Sequence, residues 1–69
     1  MGSIEAINIG RRIREVRRTC GMTQVQLAEA AGISATHLGD IETGRSSFKV
    51  EVLLKIVKAL NAKIELTIK

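Results

Sequence analysis

The sequence predicts an all-α domain, a small bundle of four helices or at most five, followed by a short C-terminal β-strand. Three observations lead to this fold class. Proline is absent, apolar residues recur at helical spacing up to residue 60, and from residue 62 apolar and polar residues alternate strictly. We therefore expect a single domain over residues 1–69, with a helical core over 8–60 and a dimerisation strand over 62–69.

The composition of the 69 residues excludes several classes of protein. The single cysteine, Cys20, cannot form an internal disulfide or a cysteine-based zinc site, so we expect no metal and no cofactor. No apolar run is long enough to cross a membrane, and the N-terminus lacks a signal pattern, which together predict a cytoplasmic protein. A core of this size contributes only about 3–5 kcal/mol, so we also expect an oligomer.

The charge balance favours a polyanionic partner. Eleven Lys and Arg residues against seven Asp and Glu residues give a net charge of +4. Phe48 is the one aromatic residue, so the chain has no aromatic platform on which unpaired bases could stack. If the partner is a nucleic acid, these two facts favour double-stranded DNA.

The first helix is expected over residues 8–20, ending before Gly21. Its predicted apolar stripe consists of Ile9, Ile13, Val16 and Cys20. The opposite face carries Arg11, Arg14 and Arg18 beside Glu15. Those arginines either follow DNA phosphates or form a solvated surface, and the sequence leaves both interpretations open.

Two short helices with clear boundaries come next. Thr23 and Gln26 have the spacing of a capping box at the start of the second helix, and Gly32 ends it. Ser34 is the expected N-cap of the third helix, and Gly44 is the C′ residue just past its end. The predicted inner faces are Leu27, Ala28 and Ala31, then Leu38, Ile41 and Glu42. Two short helices joined this tightly are typical of a helix-turn-helix, whose second helix enters the major groove.

The fourth helix is expected over about residues 49–60, and it has more apolar surface than one core can cover. In the strand predicted after it, Ile64, Leu66 and Ile68 share one face. A lone strand has no partner in its own chain. We therefore expect two copies to pair as an antiparallel ribbon that covers the fourth helices of a homodimer.

Five runs of residues carry a family resemblance: Ile9–Arg17, Met22–Gln24, Leu27–Ser34, Ile41–Arg45 and Leu53–Leu60. Over residues 9–60 the sequence closely resembles the Cro/repressor family of helix-turn-helix proteins. It departs from that family at Phe48-Lys49, where many members have Pro-Ser. With its predicted terminal strand, the chain also resembles antitoxin-repressors that pair with HipA-type kinase toxins.

The resemblance implies a role for each matching residue. Gln24 would bind a backbone phosphate and brace the third helix, on which Ala35, Thr36 and Asp40 would read base edges. Apart from the resemblance, Ser34 and His37 are also expected at this DNA surface, where His37, on the flank of the third helix, would touch phosphate or solvent. Thr43, Arg45 and Ser46 would hold phosphate at the end of that helix. Arg17 and Glu42 could both be surface charges, but their positions at the edges of apolar stripes and the family's matching Arg–Glu pair favour a buried or half-buried ion pair between them.

The sequence thus predicts a DNA-binding transcriptional regulator and no enzyme, since His37 has no nucleophile near it in sequence. The favoured hypothesis is a dimeric autorepressor that binds an inverted-repeat operator and acts as antitoxin of a kinase-type toxin. Two alternatives stay open. One is a protein-interaction module of this fold that does not bind DNA, and the other is a phage-type repressor without a toxin partner.

Overall fold

Four α-helices follow one another along the chain in the computed structural model. They are α1 (Ile4–Thr19), α2 (Gln24–Ala31), α3 (Ala35–Thr43) and α4 (Val50–Ile68). The structure describes the backbone of residues 4–68 and the side chains of residues 4–64. Over these residues the all-α prediction is confirmed. None of the four helices is long and apolar enough, in the part described, to cross a membrane.

The predicted boundaries of α2 and α3 are confirmed by their capping groups. The Thr23 hydroxyl accepts from the Gln26 backbone N–H at 3.1 Å, and the Gln26 side chain accepts from the Thr23 N–H at 2.9 Å. The Ser34 hydroxyl accepts from the His37 N–H at 3.0 Å. Gly32 and Gly44 end the two helices with φ of 72° and 74°, a conformation that glycine adopts without strain.

Helix α1 begins at Ile4, four residues before the predicted start. No Gly or Pro interrupts residues 4–9, and the Ile7 side chain packs against Gly44 at the end of α3. The buried face of α1 is formed by Gly10, Ile13 and Arg17. The predicted stripe is therefore rotated from the core: Val16 and Cys20 are half-buried, and Ile9 is 37% exposed.

The predicted C-terminal strand is wrong, because α4 continues as one helix to Ile68. Residues 61–63 contain no helix breaker, and adding a turn to an existing helix is much easier than starting a new element. A helix also pairs its own backbone groups, whereas a lone strand would leave them unpaired. The strand-paired ribbon of Ile64, Leu66 and Ile68 is therefore wrong too. Lys69 and the side chains of Leu66 and Ile68 lie outside the described residues.

The core lies where α2 packs against α4 and α1 packs across the back of α3. Its buried apolar residues are Ile13, Leu27, Ala28, Ala31, Leu38, Ile41, Ile56 and Leu60. The crossing of α1 over α3 is very close at Gly10, whose Cα faces the backbone of Ile41 and Glu42. This close contact fixes the position of α3 on the bundle and leaves its other face open.

We expect Gly10→Ala to lower the free energy of unfolding by at least about 1 kcal/mol, because the added Cβ would collide with the Ile41 carbonyl oxygen. Gly39→Ala is the matched control within α3. A Cβ there would meet the Gln24 amide at an ordinary 3.8 Å, so stability should stay equal or rise by up to about 1 kcal/mol. Urea unfolding followed by circular dichroism measures both. Equal effects of the two changes would contradict this packing.

Candidate nucleic-acid interface

The outward face of α3 is the centre of the candidate site. Thr36 and Thr43 are exposed on it, Asp40 is half-buried, and Gly39 leaves the backbone uncovered between them. These side chains are short, so α3 could approach a partner closely over two turns. A three-residue connection, Gly32–Ser34, joins α3 to α2. The pair of helices therefore forms a helix-turn-helix unit with a small, polar leading surface.

The predicted ion pair between Arg17 and Glu42 is confirmed, and it is buried. Arg17 Nε donates to Glu42 Oε2 at 2.7 Å and Nη2 donates to Oε1 at 3.0 Å. Only 7% of Arg17 and 1% of Glu42 are exposed. The remaining guanidinium nitrogen, Nη1, donates to the Met22 carbonyl oxygen at 2.9 Å. A single arginine of α1 thus holds α3 and the segment just before α2 in a fixed relation.

Gln24 is tied to the same carboxylate. Its Nε2 donates to Glu42 Oε1 at 3.1 Å, and the assignment of nitrogen to this side follows from chemistry, since an ionised carboxylate accepts but cannot donate. The brace between Gln24 and the third helix is therefore confirmed. Gln24 is half-buried at the first position of α2, and its amide lies beside Gly39. Its second Nε2 proton and its oxygen stay available for a partner.

The residues at the start of α3 have different surroundings. Ser34 is exposed, and its hydroxyl oxygen caps α3 while its proton stays available for donation. Ala35 is half-buried and packs against the core, so its methyl group is partly withdrawn from the outward face. His37 is half-buried on α3. Ala35 therefore offers less exposed surface for contact with a base than Thr36 does.

The end of α3 brings together the three residues predicted to hold phosphate. The Thr43 hydroxyl donates to the Gly39 carbonyl oxygen at 2.9 Å, so a phosphate contact would require it to exchange that bond. Arg45 is exposed in the loop after Gly44. The Ser46 hydroxyl is buried and has no hydrogen-bond partner within the described part of the chain. Arg45 is therefore the most accessible donor of the three.

A second surface, which we name the α1–α4 apolar face, lies away from the helix-turn-helix. It contains a groove of about 220 Å³ lined by Ile9, Arg12, Ile13, Val16, Leu53, Val57 and Leu60. Along α4, Val50, Leu54, Val57 and Ile64 remain exposed at spacings of four, three and seven residues. The sequence predicted the excess apolar surface of α4. It did not predict that α1 contributes to the same groove, because the α1 stripe was placed in the core.

Other chemistry finds little support among the described residues. No group of three or more His, Cys, Asp or Glu side chains is arranged to hold a metal ion in this part of the chain. Cys20 is a half-buried thiol at the end of α1. The Met22 carbonyl, which completes the bonding of Arg17, was not found by sequence reasoning because a backbone acceptor has no residue signature.

We expect Glu42→Ala to lower the free energy of unfolding by about 3–5 kcal/mol, because it leaves the Arg17 guanidinium buried without its counter-charge. The double change Arg17→Met with Glu42→Leu should recover much of that loss, since it removes both charges and keeps volume in the core. Chemical denaturation of the two variants and the wild type measures this. A double variant as unstable as Glu42→Ala would show that the loss comes from packing.

Comparison with known proteins places this geometry in a family. A model of the helix-turn-helix family, HTH_3, matches residues 13–66. The chain is 36% identical over 58 residues to an immunity repressor protein of Bacillus phage phi105, covering 84% of this chain and 40% of that protein. It is 37% identical over 59 residues to the putative antitoxin HigA2 of Mycobacterium tuberculosis, covering 84% of this chain and 58% of the relative. The chain therefore spans about half the length of these relatives.

Among solved structures, the fold is similar to that of the restriction-modification controller protein C.AhdI from Aeromonas hydrophila. The TM-score is 0.81 at 29% sequence identity, and the match covers 86% of this chain and 89% of the other. The similarity includes the order and packing of the helices as well as the sequence. With its capped α2, its short polar α3 and the Arg17–Glu42 pair behind them, this chain belongs to the helix-turn-helix family.

Proposed function

We propose that the protein is a sequence-specific regulator of transcription that binds double-stranded DNA through α2 and α3. The observation that carries the proposal is the shared bonding of Glu42, which joins α3 to Gln24 at the start of α2. A groove-reading helix and a phosphate-binding amide are thereby held as one rigid unit. Relatives named as repressors support the same conclusion.

The chemistry of α3 favours a limited direct readout of bases. Thr36 can donate or accept a hydrogen bond at a base edge, and its methyl group can contact a thymine methyl. The Asp40 carboxylate can accept from cytosine N4 and repels phosphates. With so few groups on α3, contacts to phosphate and the shape of the duplex supply a large share of the specificity.

Phosphate binding uses groups on both sides of α3. The second Nε2 proton of Gln24 is available at the start of α2, where the positive end of the helix dipole also favours an anion. Arg45 is exposed beyond the other end of α3. Two anchors on opposite sides of one groove would set the register of α3 against the base pairs.

We further propose that the protein is a homodimer whose two-fold interface is the α1–α4 apolar face. Leu54 is 55% exposed and Val57 is 39% exposed, although both are large aliphatic side chains. An aliphatic surface that extends over two helices suits a second copy of itself, which would remove it from water. Such a dimer would bind an inverted repeat with half-site centres about 10–10.5 base pairs apart, or a multiple of that spacing.

A second candidate function is that of an antitoxin, which the similarity to the putative antitoxin HigA2 favours. The kinase-type toxin partner stays a prediction. It was suggested by the predicted C-terminal strand, and those residues are helical in the structure. A toxin gene beside this one would support the antitoxin function, and a phage-type repressor would have no such neighbour. No catalytic step is part of the proposal.

We expect Gln24→Ala and Thr36→Ala to affect DNA binding differently. Loss of the Gln24 amide should weaken binding by a similar factor on all sequences, because phosphates carry no sequence information and Arg17 still holds Glu42 on α3 by two hydrogen bonds. Loss of the Thr36 side chain should change which bases are preferred. Selection from a randomised operator library, with binding constants for the best sites, measures both effects. Altered base preference in Gln24→Ala but not in Thr36→Ala would contradict the assignment of Gln24 to phosphate contact and of Thr36 to base contact. Binding independent of salt would favour a protein-interaction module.

We expect Val57→Lys to shift the dimer towards monomer, because it would bury a charge at the centre of the proposed interface. Val25→Lys is the matched control, since Val25 is 54% exposed on α2 and lies outside the α1–α4 apolar face. Sedimentation without DNA, over a range of protein concentrations, measures the dissociation constant of the dimer. A Val57→Lys variant with an unchanged dissociation constant would place the interface elsewhere.

A further inference from the structure

Three arginines of α1 form a row that has no part in the DNA contacts proposed for α2, α3 and the loop after α3. Arg11, Arg14 and Arg18 are all exposed, and their spacing of three and four residues puts them on one side of the helix. Together with Glu15 they surround a shallow depression of about 280 Å³. We name Arg11, Arg14 and Arg18 the arginine row.

The charges of this row are not neutralised within the described part of the chain. The Glu15 carboxylate, which borders the same depression, bonds to Arg12 at 3.3 Å, and no hydrogen bond or ion pair joins a side chain of the arginine row to another described residue. Three like charges on neighbouring turns repel one another, and a polyanion placed against them would relieve that repulsion.

The position of the row follows from the two ends of α1. Ile7 lies one turn before Arg11 on the same side, and a Cβ added at Gly44 would lie 2.7 Å from Ile7 Cγ1. One end of the row is therefore next to the Gly44–Ser46 loop. At the other end, Arg17 beside Arg18 bonds the Met22 carbonyl, two residues before Gln24. The row thus extends between the two segments to which we assigned phosphate contacts.

The row also lies on the opposite flank of α1 from the α1–α4 apolar face. Ile9, Arg12 and Val16 line the groove of that face, whereas Ile7, on the same side of α1 as the arginine row, packs against Gly44 at the end of α3. A second copy of the chain bound at the apolar face would leave the arginine row uncovered. The row therefore stays open to a different partner.

We propose that the arginine row is a further phosphate-binding surface, which contacts the DNA backbone beside the groove that α3 enters. This inference rests on the proposed DNA-binding function. It assigns a role to α1, which in that function only supports α3. The contacts are independent of base sequence, so they add affinity and salt dependence without changing the preferred operator.

The test compares Arg14→Gln and Arg18→Gln with Lys55→Gln. All three changes remove one exposed cation, but Lys55 lies in the depression between α2 and α4, outside both the arginine row and the α1–α4 apolar face. Affinity for the selected operator is measured over a series of salt concentrations. Each variant of the row should reduce the slope of log K against log salt by about one unit, and Lys55→Gln should change it by less than half as much. Arg14→Lys should retain the wild-type slope.

Ethylation interference provides a readout that net charge alone does not change. In the wild type, ethylation of phosphates beside the DNA groove that α3 enters should block binding, and Arg14→Gln should lose sensitivity at one of these phosphates while Lys55→Gln loses none. Equal slopes and equal interference in the two variants would overturn the inference and leave the proposed function intact. A wild type with no salt-dependent DNA binding would overturn both. If the row instead binds an acidic protein, Arg14→Gln should keep the wild-type slope of log K against log salt for the operator, and the inference would be overturned.

Discussion

The buried bonding of Arg17 to Glu42 is the interaction on which the rest of the structure depends. It joins α1 to α3 and, through the Met22 carbonyl and Gln24, to the start of α2. A charge with incomplete partners would be very costly at 1% exposure, and Glu42 accepts two hydrogen bonds from Arg17 and one from Gln24. Because Gln24 uses one of the same carboxylate oxygens, α3 cannot tilt without displacing Gln24. The Glu42 side chain thus contributes both to the stability of the fold and to the position of the recognition helix.

The small size of the chain explains why the helices rely on one another. Helices α2 and α3 have eight and nine residues, which is too short for a stable isolated helix. Their caps and left-handed glycines define where they start and stop, and Leu27, Leu38 and Ile41 hold them to the core. Among the described residues of α2 and α3, Val25 is the large hydrophobic side chain that stays exposed. The excess is on α4, where the core needs Ile56 and Leu60 but the helix also carries Leu54 and Val57.

The sequence was a good guide wherever a local rule decides the structure. The capping box at Thr23, the cap at Ser34 and the glycines after α2 and α3 are short-range signals, and all were predicted correctly. The end of α4 was not. Residues 62–68 alternate as a strand does, but Ile64 and Ile68 are also four residues apart, which a helix equally permits. Periodicity cannot choose between the two when the decisive factor is an existing helix that can simply continue.

The site was predictable in part, for a similar reason. The Arg17–Glu42 pair and the brace from Gln24 followed from a family resemblance, since their partners are 25 and 18 residues apart. The rotation of α1 was not predicted from the sequence. An arginine at a buried position breaks the pattern of apolar residues by which a buried helix face is recognised. That rotation brings Ile9 to the groove beside α4 and turns the opposite flank towards the end of α3. Exposure of a charge can be guessed from sequence, but its direction depends on how the helices pack.

Because α4 is one unbroken helix, its length determines the direction in which residues near its end face. Its 19 residues extend over about 28 Å, and each added residue turns everything after it by about 100°. Insertion of a single residue after Leu60 would therefore swing Ile64 out of line with Val57, whereas seven residues would restore the alignment one repeat further on. A flexible tail would tolerate any change of length. In this helix, length and direction cannot vary separately, so we expect viable changes of length near residue 61 to come in steps close to whole turns.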